Sequence, residues 1–210
     1  MTPDHTYVIH RLYDRFNQDQ KQVFFVIGPN PRVGVTDCCL NIAAAATELL
    51  ANYSVLLVDM NIHNPGLSEM AKRPEKGWIP WLTENKSFSL EKAVLPWPGA
   101  DHLNFLPTGR IKDYRDVASQ MPRWPDVFDT LKKDFNLIIA DIPAFYQGTE
   151  ARILCRAADD IMVVIEADAT KRSVARQMVR ELRSMDIPIL GILFNKRRFH
   201  IPRWIHRRLF

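Results

Sequence analysis

Six short runs of Val, Ile, Leu and Phe recur along this chain and constrain its fold more than any other feature. They are Val23–Ile27, Val55–Asp59, Leu103–Leu106, Leu137–Asp141, Ile161–Ile165 and Ile187–Phe194. Runs that are apolar at successive positions suit strands buried on both faces, as in a parallel sheet covered by helices. None of them approaches the roughly 18–20 residues that a membrane-spanning helix needs.

Helical patterns fill the chain between these runs. The predicted helices are Thr36–Leu50, Trp124–Asp134, Glu150–Ala157 and Ser173–Ser184. In the last of these, Val174, Met178 and Leu182 recur every four residues, which places them on one side of a helix. Alternation of strands and helices predicts a doubly wound α/β fold, with a mainly parallel sheet flanked by helices.

The composition fits one domain of ordinary size. The chain has 210 residues, of which 47% are hydrophobic and 25% charged, so it can bury a core. Its first residues lack the apolar stretch of a secretion signal, so we expect a cytoplasmic protein. The cysteines Cys38, Cys39 and Cys155 follow neither a disulfide framework nor a metal-ligand spacing, and we interpret them as buried reduced thiols.

The net charge of +4 comes from the end of the chain. Residues 196–210 hold six of the 28 Lys and Arg and no acid, which leaves 22 basic against 24 acidic residues in 1–195. We therefore divide the chain into a slightly acidic domain, residues 1–195, and a basic tail, residues 196–210. This distribution argues against a broadly basic surface for nucleic acid.

The basic tail is predicted to form an amphipathic helix, because its apolar residues recur at helical spacing. Such a helix suits an anionic membrane surface or an acidic groove of a partner. Packing of its apolar face on its own domain and binding of nucleic acid stay open as alternatives. The candidate contact residues are Arg197, Arg198, Arg203, Trp204, Ile205, Arg207 and Arg208.

Two other segments are interpreted from their patterns. Residues 72–101 contain four prolines and three tryptophans, which we interpret as a surface excursion and candidate contact surface. The alternative is a loop folded back on its own domain. Tyr7–Phe16 is predicted to be a helix with Val8, Leu12 and Phe16 on one side.

The first strand leads into a loop of the kind that binds phosphate. Gly28–Thr36 (GPNPRVGVT) runs directly into a helix, whose N-terminal N–H groups attract anions. The pattern G-x-x-x-x-G-K-[ST] is met only at Gly34 and Thr36, since Pro29 replaces its first glycine and Val35 its lysine. The loop alone is a weak match, and its interpretation depends on three further motifs.

Those motifs stand at the ends of later strands and carry a family resemblance. They are VLLVDMNIHNPGL (Val55–Leu67), FNLIIADIPAF (Phe135–Phe145) and GILFNKRR (Gly191–Arg198). Together with the loop they resemble the bacterial tyrosine kinases (BY-kinases) of polysaccharide export, in the MinD/ParA class of P-loop ATPases. The resemblance covers about residues 7–198 and implies a P-loop NTPase-like fold.

The resemblance also implies which residues would contact a nucleotide. Gly34, Thr36, Asp59, Asp141 and Asn195 occupy the family's positions for ATP or ADP, and Thr36 and Asp141 those for Mg²⁺. Asp59 and Asp141 are the family positions closest to catalysis. Residue type alone also allows structural roles for these residues. Thr36 could be a helix N-cap, the two aspartates could be ordinary residues at strand ends, and Asn195 could form a turn.

The departures from the family concern the groups that stabilise a transferred phosphoryl group. In the loop, Val35 stands in place of the family's lysine and Arg32 in place of a glycine. In the second motif, Asn61 stands in place of the second acidic residue, and His63 and Asn64 stand in place of an arginine pair. Losing one such electrostatic contact typically costs about 10²–10³ in rate. No tyrosine lies beyond position 146, where such kinases carry a tyrosine-rich tail. We expect negligible kinase activity.

These observations predict a catalytically degenerate BY-kinase-like accessory protein of exopolysaccharide synthesis or export. The resemblance implies a place at the inner face of the cell membrane and, as partner, the cytosolic face of a polysaccharide co-polymerase or chain-length regulator. Arg11 and Arg15, near the position of the family's self-association segment, suggest a homo-oligomer. No cofactor is the main expectation, with binding of ATP or ADP and Mg²⁺ left open.

Two alternatives from other functional classes stay open. One is an active ATPase or tyrosine kinase with an unusual phosphate loop. The other is a ParA-like, DNA-associated positioning ATPase, which the slightly acidic domain disfavours.

Overall fold

One seven-stranded sheet forms the centre of the described structure. The structure, a computed structural model, describes residues 8, 10, 21–72, 75–84 and 88–196. Its strands are β1 (Gln22–Ile27), β2 (Val55–Asp59), β3 (Leu95–Trp97), β4 (Ala100–Leu106), β5 (Leu137–Asp141), β6 (Asp160–Glu166) and β7 (Ile189–Asn195). They lie in the order β3-β4-β2-β5-β1-β6-β7, and all neighbours are parallel except β3 and β4. The predicted doubly wound, mainly parallel α/β fold is confirmed.

Helices cover both faces of this sheet. They are α1 (Val35–Leu49), α2 (Gly66–Met70), α3 (Trp78–Thr83), α4 (Tyr114–Ser119), α5 (Pro125–Leu131), α6 (Glu150–Cys155) and α7 (Arg172–Ser184), with 3-10 turns at Leu90–Ala93 and Met121–Arg123. One core cluster joins the sheet to α3 through α7, and the other joins it to α1 and α2. Because both faces are covered, β1, β2 and β5 are buried at every position.

The sequence patterns missed the far edge of the sheet. Strand β4 begins at Ala100, three residues before the predicted run, and pairs with the unpredicted strand β3. Pro96 in β3 lacks a backbone donor, and such a residue is tolerated on an edge strand. Helix α4 was also not predicted, because its six residues are too few to show a period.

The tryptophans of residues 72–101 belong to the core. Trp78 is fully buried, and its ring meets that of Trp124 edge to face at 5.2 Å. The indole Nε1 of Trp78 donates a hydrogen bond to the carbonyl oxygen of Asp59 at 2.8 Å. Trp81 is also buried. These contacts contradict a surface excursion and support the alternative, a segment folded back on its own domain.

The three cysteines are buried free thiols, as the sequence predicts. Burial raises the pKa of Cys38 and of Cys155 to about 12, so neither forms a thiolate at neutral pH. Among the residues described, no helix is long and apolar enough to cross a membrane.

Two predicted segments lie outside the described residues. One is the basic tail beyond Lys196, which includes all the candidate contact residues from Arg197 to Arg208. The other is the helix Tyr7–Phe16, apart from Val8 and His10. Val8 is buried in the core cluster that contains α1.

Substitution of Trp78 tests whether its segment is part of the core. We expect Trp78→Ala to lower the free energy of unfolding by about 3–5 kcal/mol, because it leaves a large cavity beside Trp124. Trp78→Phe keeps most of the packing but loses the bond to Asp59, and should cost about 1–2 kcal/mol. Urea denaturation followed by circular dichroism measures both. A loss below about 1 kcal/mol for Trp78→Ala would contradict this assignment.

Candidate functional site

Three neighbouring strands bring the predicted site residues to one edge of the sheet. Strands β2, β5 and β1 are adjacent and parallel, so their carboxyl ends lie together. Asp59 and Asp141 end β2 and β5 and are direct partners in the register. The loop Gly28–Gly34, which we call the phosphate loop, leaves β1 at the same edge and enters α1. The tertiary structure therefore brings together Thr36, Asp59 and Asp141, as the sequence predicts.

The segment after β5 holds the start of the phosphate loop. The backbone N–H of Phe145 donates to the carbonyl oxygen of Gly28 at 2.9 Å, and that of Tyr146 to Pro29 at 3.2 Å. A side chain at Gly28 would meet Val33 Cγ2 at 2.4 Å, so the loop closes tightly over its own beginning. The loop carbonyls thus bond inward to the protein.

Residues at the end of β7 hold the second half of the loop. The side-chain Nδ2 of Asn195 donates to the carbonyl oxygen of Val33 at 2.9 Å, and Lys196 Nζ donates to that of Arg32 at 2.6 Å. A Cβ at Gly34 would lie 2.0 Å from Asn195 Nδ2, and Gly34 has a φ of 90°, so only glycine suits this position. Asn195 belongs to the site, but its amide binds the loop backbone, which residue type alone did not indicate.

The phosphate loop is open toward solvent. A crevice of about 440 Å³ lies in front of it, which is within the usual range for small-molecule sites. The N–H groups of Gly34, Val35 and Thr36 donate to no backbone acceptor among the described residues. Free N–H groups at the start of a 15-residue helix are suited to an anion.

Thr36 and Asp141 form the part of the site that suits a cation. Thr36 Oγ1 donates to Asp141 Oδ2 at 2.7 Å, while the buried Oδ1 has no partner among the described residues. Burial and the negative charge of Asp59 raise the pKa of Asp141 well above its usual range. A carboxylate oxygen and a hydroxyl are ligands that Mg²⁺ accepts, and the ion would offset the buried charge. These residues fit the predicted Mg²⁺ position.

Asp59 has a structural role at the start of α2. Its Oδ2 accepts hydrogen bonds from the N–H and the hydroxyl of Ser68, both at 2.8 Å, and its Oδ1 accepts one from the N–H of Asn61 at 3.1 Å. Burial raises the pKa of Asp59 to about 6, although these bonds oppose the shift. Ser68 Oγ in turn accepts from the N–H of Thr108 at 3.0 Å. The sequence analysis assigned no role to Ser68 or Thr108, because their contact joins positions 40 residues apart.

Val35, Asp37 and Asn61 contribute to the chemistry of the crevice. A Cβ at Gly28 would lie 3.1 Å from Val35 Cγ2, so the valine side chain extends back over the start of the loop. Asp37 places a carboxylate in the first turn of α1, on the wall of the crevice. Asn61 Oδ1 accepts from the N–H of Asn64 at 3.1 Å and is part of the turn after β2. Val35 and Asp37 thus place an apolar side chain and an acidic side chain beside the phosphate loop, and neither supplies a cation.

Among the residues that the structure describes, two cationic side chains lie beside the loop. Arg32, with a φ of 64°, and Lys196 both line the crevice. Lys196 Nζ also pairs with Glu166 at 3.2 Å. Lys196 therefore stabilises the loop through the protein's own carbonyl and carboxylate groups.

The sheet order, the loop between β1 and α1, and the Thr36–Asp141 pair define a P-loop NTPase domain of the MinD type. The comparisons agree: the Mg-ADP complex of MinD from Pyrococcus horikoshii superposes with a TM-score of 0.72 at 18% identity, covering 90% of this chain and 77% of that one. The kinase domain of the Escherichia coli tyrosine kinase Etk superposes with a TM-score of 0.73 at 13% identity, covering 91% and 75%.

The chain belongs to the family described as cellulose biosynthesis protein BcsQ, whose family model matches residues 28–189. Among curated relatives, the tyrosine-protein kinase CpsD of Streptococcus pneumoniae is 29% identical over 182 residues, covering 85% of this chain and 77% of CpsD. EpsB of Ralstonia nicotianae is 24% identical over 171 residues, covering 80% of this chain. The chain spans only 22% of the length of EpsB. The resemblance to BY-kinases and to MinD is confirmed.

The buried carboxylate of Asp141 should lower the stability of the domain. We expect Asp141→Asn to raise the free energy of unfolding by about 1–2 kcal/mol at pH 7, because it removes a buried carboxylate whose Oδ1 has no partner among the described residues. Because the pKa of Asp141 is raised in the folded chain, its carboxyl group lowers the free energy of unfolding at neutral pH. This destabilisation disappears below about pH 4, where the carboxyl group is protonated in the folded and in the unfolded chain.

Urea denaturation at pH 7 and at pH 4 measures this difference. Asp129→Asn, at an exposed position, is the matched control and should change the stability by less than about 0.5 kcal/mol. A destabilised Asp141→Asn variant at pH 7, or an equal gain at both pH values, would contradict the expectation.

Proposed function

We propose that this chain is a catalytically degenerate P-loop protein that acts as an accessory or regulatory subunit of bacterial exopolysaccharide synthesis or export. It works by binding a membrane polysaccharide co-polymerase rather than by phosphorylating a substrate. The observation that carries the proposal is Val35, an apolar side chain that extends over the phosphate loop where phosphoryl transfer needs a cation.

The charges around the crevice support the loss of catalysis. Asp37 places a negative charge on the wall of the crevice, and Lys196 is already engaged by the carbonyl oxygen of Arg32 and by Glu166. Asn61, which replaces a carboxylate of the related kinases, cannot accept a proton from an attacking hydroxyl. Each of these features raises the barrier to phosphoryl transfer, and their effects accumulate.

A nucleotide, where one binds, would act as a ligand and not as a substrate. The N–H groups of Gly34, Val35 and Thr36 would contact its phosphates, and Thr36 and Asp141 would hold Mg²⁺. The Mg²⁺ would neutralise phosphate charge when bound. Without the loop lysine such binding loses a charge-assisted hydrogen bond, and we expect it to be weak.

The polysaccharide system and the partner rest on the family. The matching family is described by cellulose biosynthesis, and another relative, ExoP of Rhizobium meliloti, is named as a succinoglycan biosynthesis transport protein. The co-polymerase comes from the resemblance to BY-kinases, and the basic tail gives the protein a means of reaching the membrane where that partner lies.

Restoring the loop lysine separates nucleotide binding from catalysis. We expect Val35→Lys to bind Mg-ADP at least about tenfold more tightly than the natural chain, because the ammonium group adds a charge-assisted bond to phosphate. It should still hydrolyse no ATP and phosphorylate no tyrosine, since Asn61 and Asp37 remain. Calorimetric titration and a radiolabelled ATP assay measure the two properties.

The matched control is Leu49→Lys, which adds the same charge at an exposed position in the last turn of α1. It should leave Mg-ADP binding unchanged. Turnover of ATP by the natural chain or by Val35→Lys would contradict the proposal and support the alternative of an enzyme with an unusual loop.

The basic tail is expected to bring the protein to an anionic membrane. The full chain should float with phosphatidylserine vesicles and not with neutral phosphatidylcholine vesicles, because each basic residue contributes roughly 1 kcal/mol near an anionic surface. A chain ending after Lys196, which keeps the bond to the phosphate loop, should not float. Equal flotation of both chains would remove the tail from the proposal.

A further inference from the structure

A groove lies between α7 and β7, on the opposite side of β6 from β1. Its volume is about 730 Å³, and it shares no residue with the crevice at the phosphate loop. Apolar side chains from α7, β6 and β7 form its floor, and four arginines of α7 line it. None of the functions considered so far uses this groove.

The floor of the groove is apolar and accessible. Ile192 and Phe194 of β7 are 43% and 59% exposed, which is unusual for large apolar residues that lie two apart on one strand. In the sheet of the described residues β7 is the edge strand, so its outer backbone groups have no strand beside them. Both the apolar side chains and the strand edge are features that a partner could cover.

The rim of the groove is strongly positive. Arg172, Arg176, Arg180 and Arg183 follow one another at intervals of four, four and three residues, so they form one stripe along α7. All four are exposed, and none makes an ion pair with another described residue. Glu181 is the single acid of α7, and it pairs with Arg152 of α6 at 2.9 Å. The stripe therefore carries about four uncompensated charges beside an apolar floor.

We propose that this groove binds an acidic, extended segment of a partner protein. Apolar side chains of the segment would cover Ile192 and Phe194, its carboxylates would pair with the arginine stripe, and its backbone would lie along the free edge of β7. Because the arginine stripe is positive, charge complementarity requires an acidic occupant. The inference goes beyond the proposed function, because it uses neither the nucleotide crevice nor the tail.

Other occupants fit the groove less well. The basic tail carries six Lys and Arg and no acid, so the arginine stripe would repel it. Val8, the apolar residue described near the N-terminus, packs in the core cluster with α1, whereas α7 belongs to the other cluster. A membrane surface is flat, whereas the apolar residues here line a groove together with the arginines.

The test is binding of a labelled peptide to the full chain, measured by fluorescence anisotropy. The probe is a peptide of about ten residues that alternates Glu with Val, and the control probe alternates Lys with Val. We expect the Glu peptide to bind at least about tenfold more tightly than the Lys peptide, with affinity that falls as salt rises.

Matched variants locate the binding site. Arg176→Glu with Arg180→Glu should weaken binding of the Glu peptide at least about tenfold, because attraction becomes repulsion. Phe194→Ser, at an exposed position, should weaken it about threefold or more. Lys92→Glu with Arg156→Glu changes the net charge equally at exposed positions away from the groove and should change binding less than about twofold.

Three results would overturn the proposal. They are no binding of the Glu peptide at millimolar concentration, equal binding by the natural chain and the Arg176/Arg180 variant, and equal loss with the Lys92/Arg156 control. Binding to phosphatidylserine vesicles is measured as well, for the natural chain and for the Arg176/Arg180 variant. If the Arg176/Arg180 variant lost vesicle binding while the natural chain bound no Glu peptide, the groove would be a membrane contact instead.

Discussion

The site depends on the inward hydrogen bonding of the phosphate loop. The loop carbonyls of Gly28 and Pro29 accept from the segment after β5, and those of Arg32 and Val33 accept from the end of β7. With its carbonyls bound to two strands, the loop presents free N–H groups at the start of α1. None of these bonds involves the side chain at position 35. These bonds therefore need no lysine at position 35, where the P-loop pattern has one and this chain has valine.

The two buried carboxylates, Asp59 and Asp141, contribute differently to the stability of the fold. The carboxylate of Asp59 accepts hydrogen bonds from Ser68 and Asn61, so its charge stabilises the start of α2. Asp141 Oδ2 accepts from Thr36, whereas its Oδ1 has no partner in the described part of the chain, so the charge lowers stability unless a cation is near. With valine at the lysine position of the loop pattern, the chain still has the geometry of a cation site at Thr36 and Asp141. That geometry is why nucleotide binding and catalysis have to be measured separately.

Much of the fold and part of the site could be predicted because both follow from local pattern. Buried parallel strands appear as continuous apolar runs, and the carboxyl ends of adjacent strands meet, so Thr36, Asp59 and Asp141 were expected together. The bond of Asn195 to the loop was not predictable, since it joins positions 162 residues apart through one side-chain amide. Trp78 was misjudged for the same reason, because its partners Trp124 and Asp59 are distant in sequence.

The sequence by itself determined the strand and helix alternation, the valine at the lysine position of the loop pattern and the uneven charge of the chain, because each is a property of residue type and spacing. Only the tertiary structure decided what those residues meet. The arginines of α7 are visible as a helical period, but their position beside the bare edge of β7 depends on the sheet order. Sheet order results from packing between distant segments, where burial of the whole core, and not local preference, selects the arrangement.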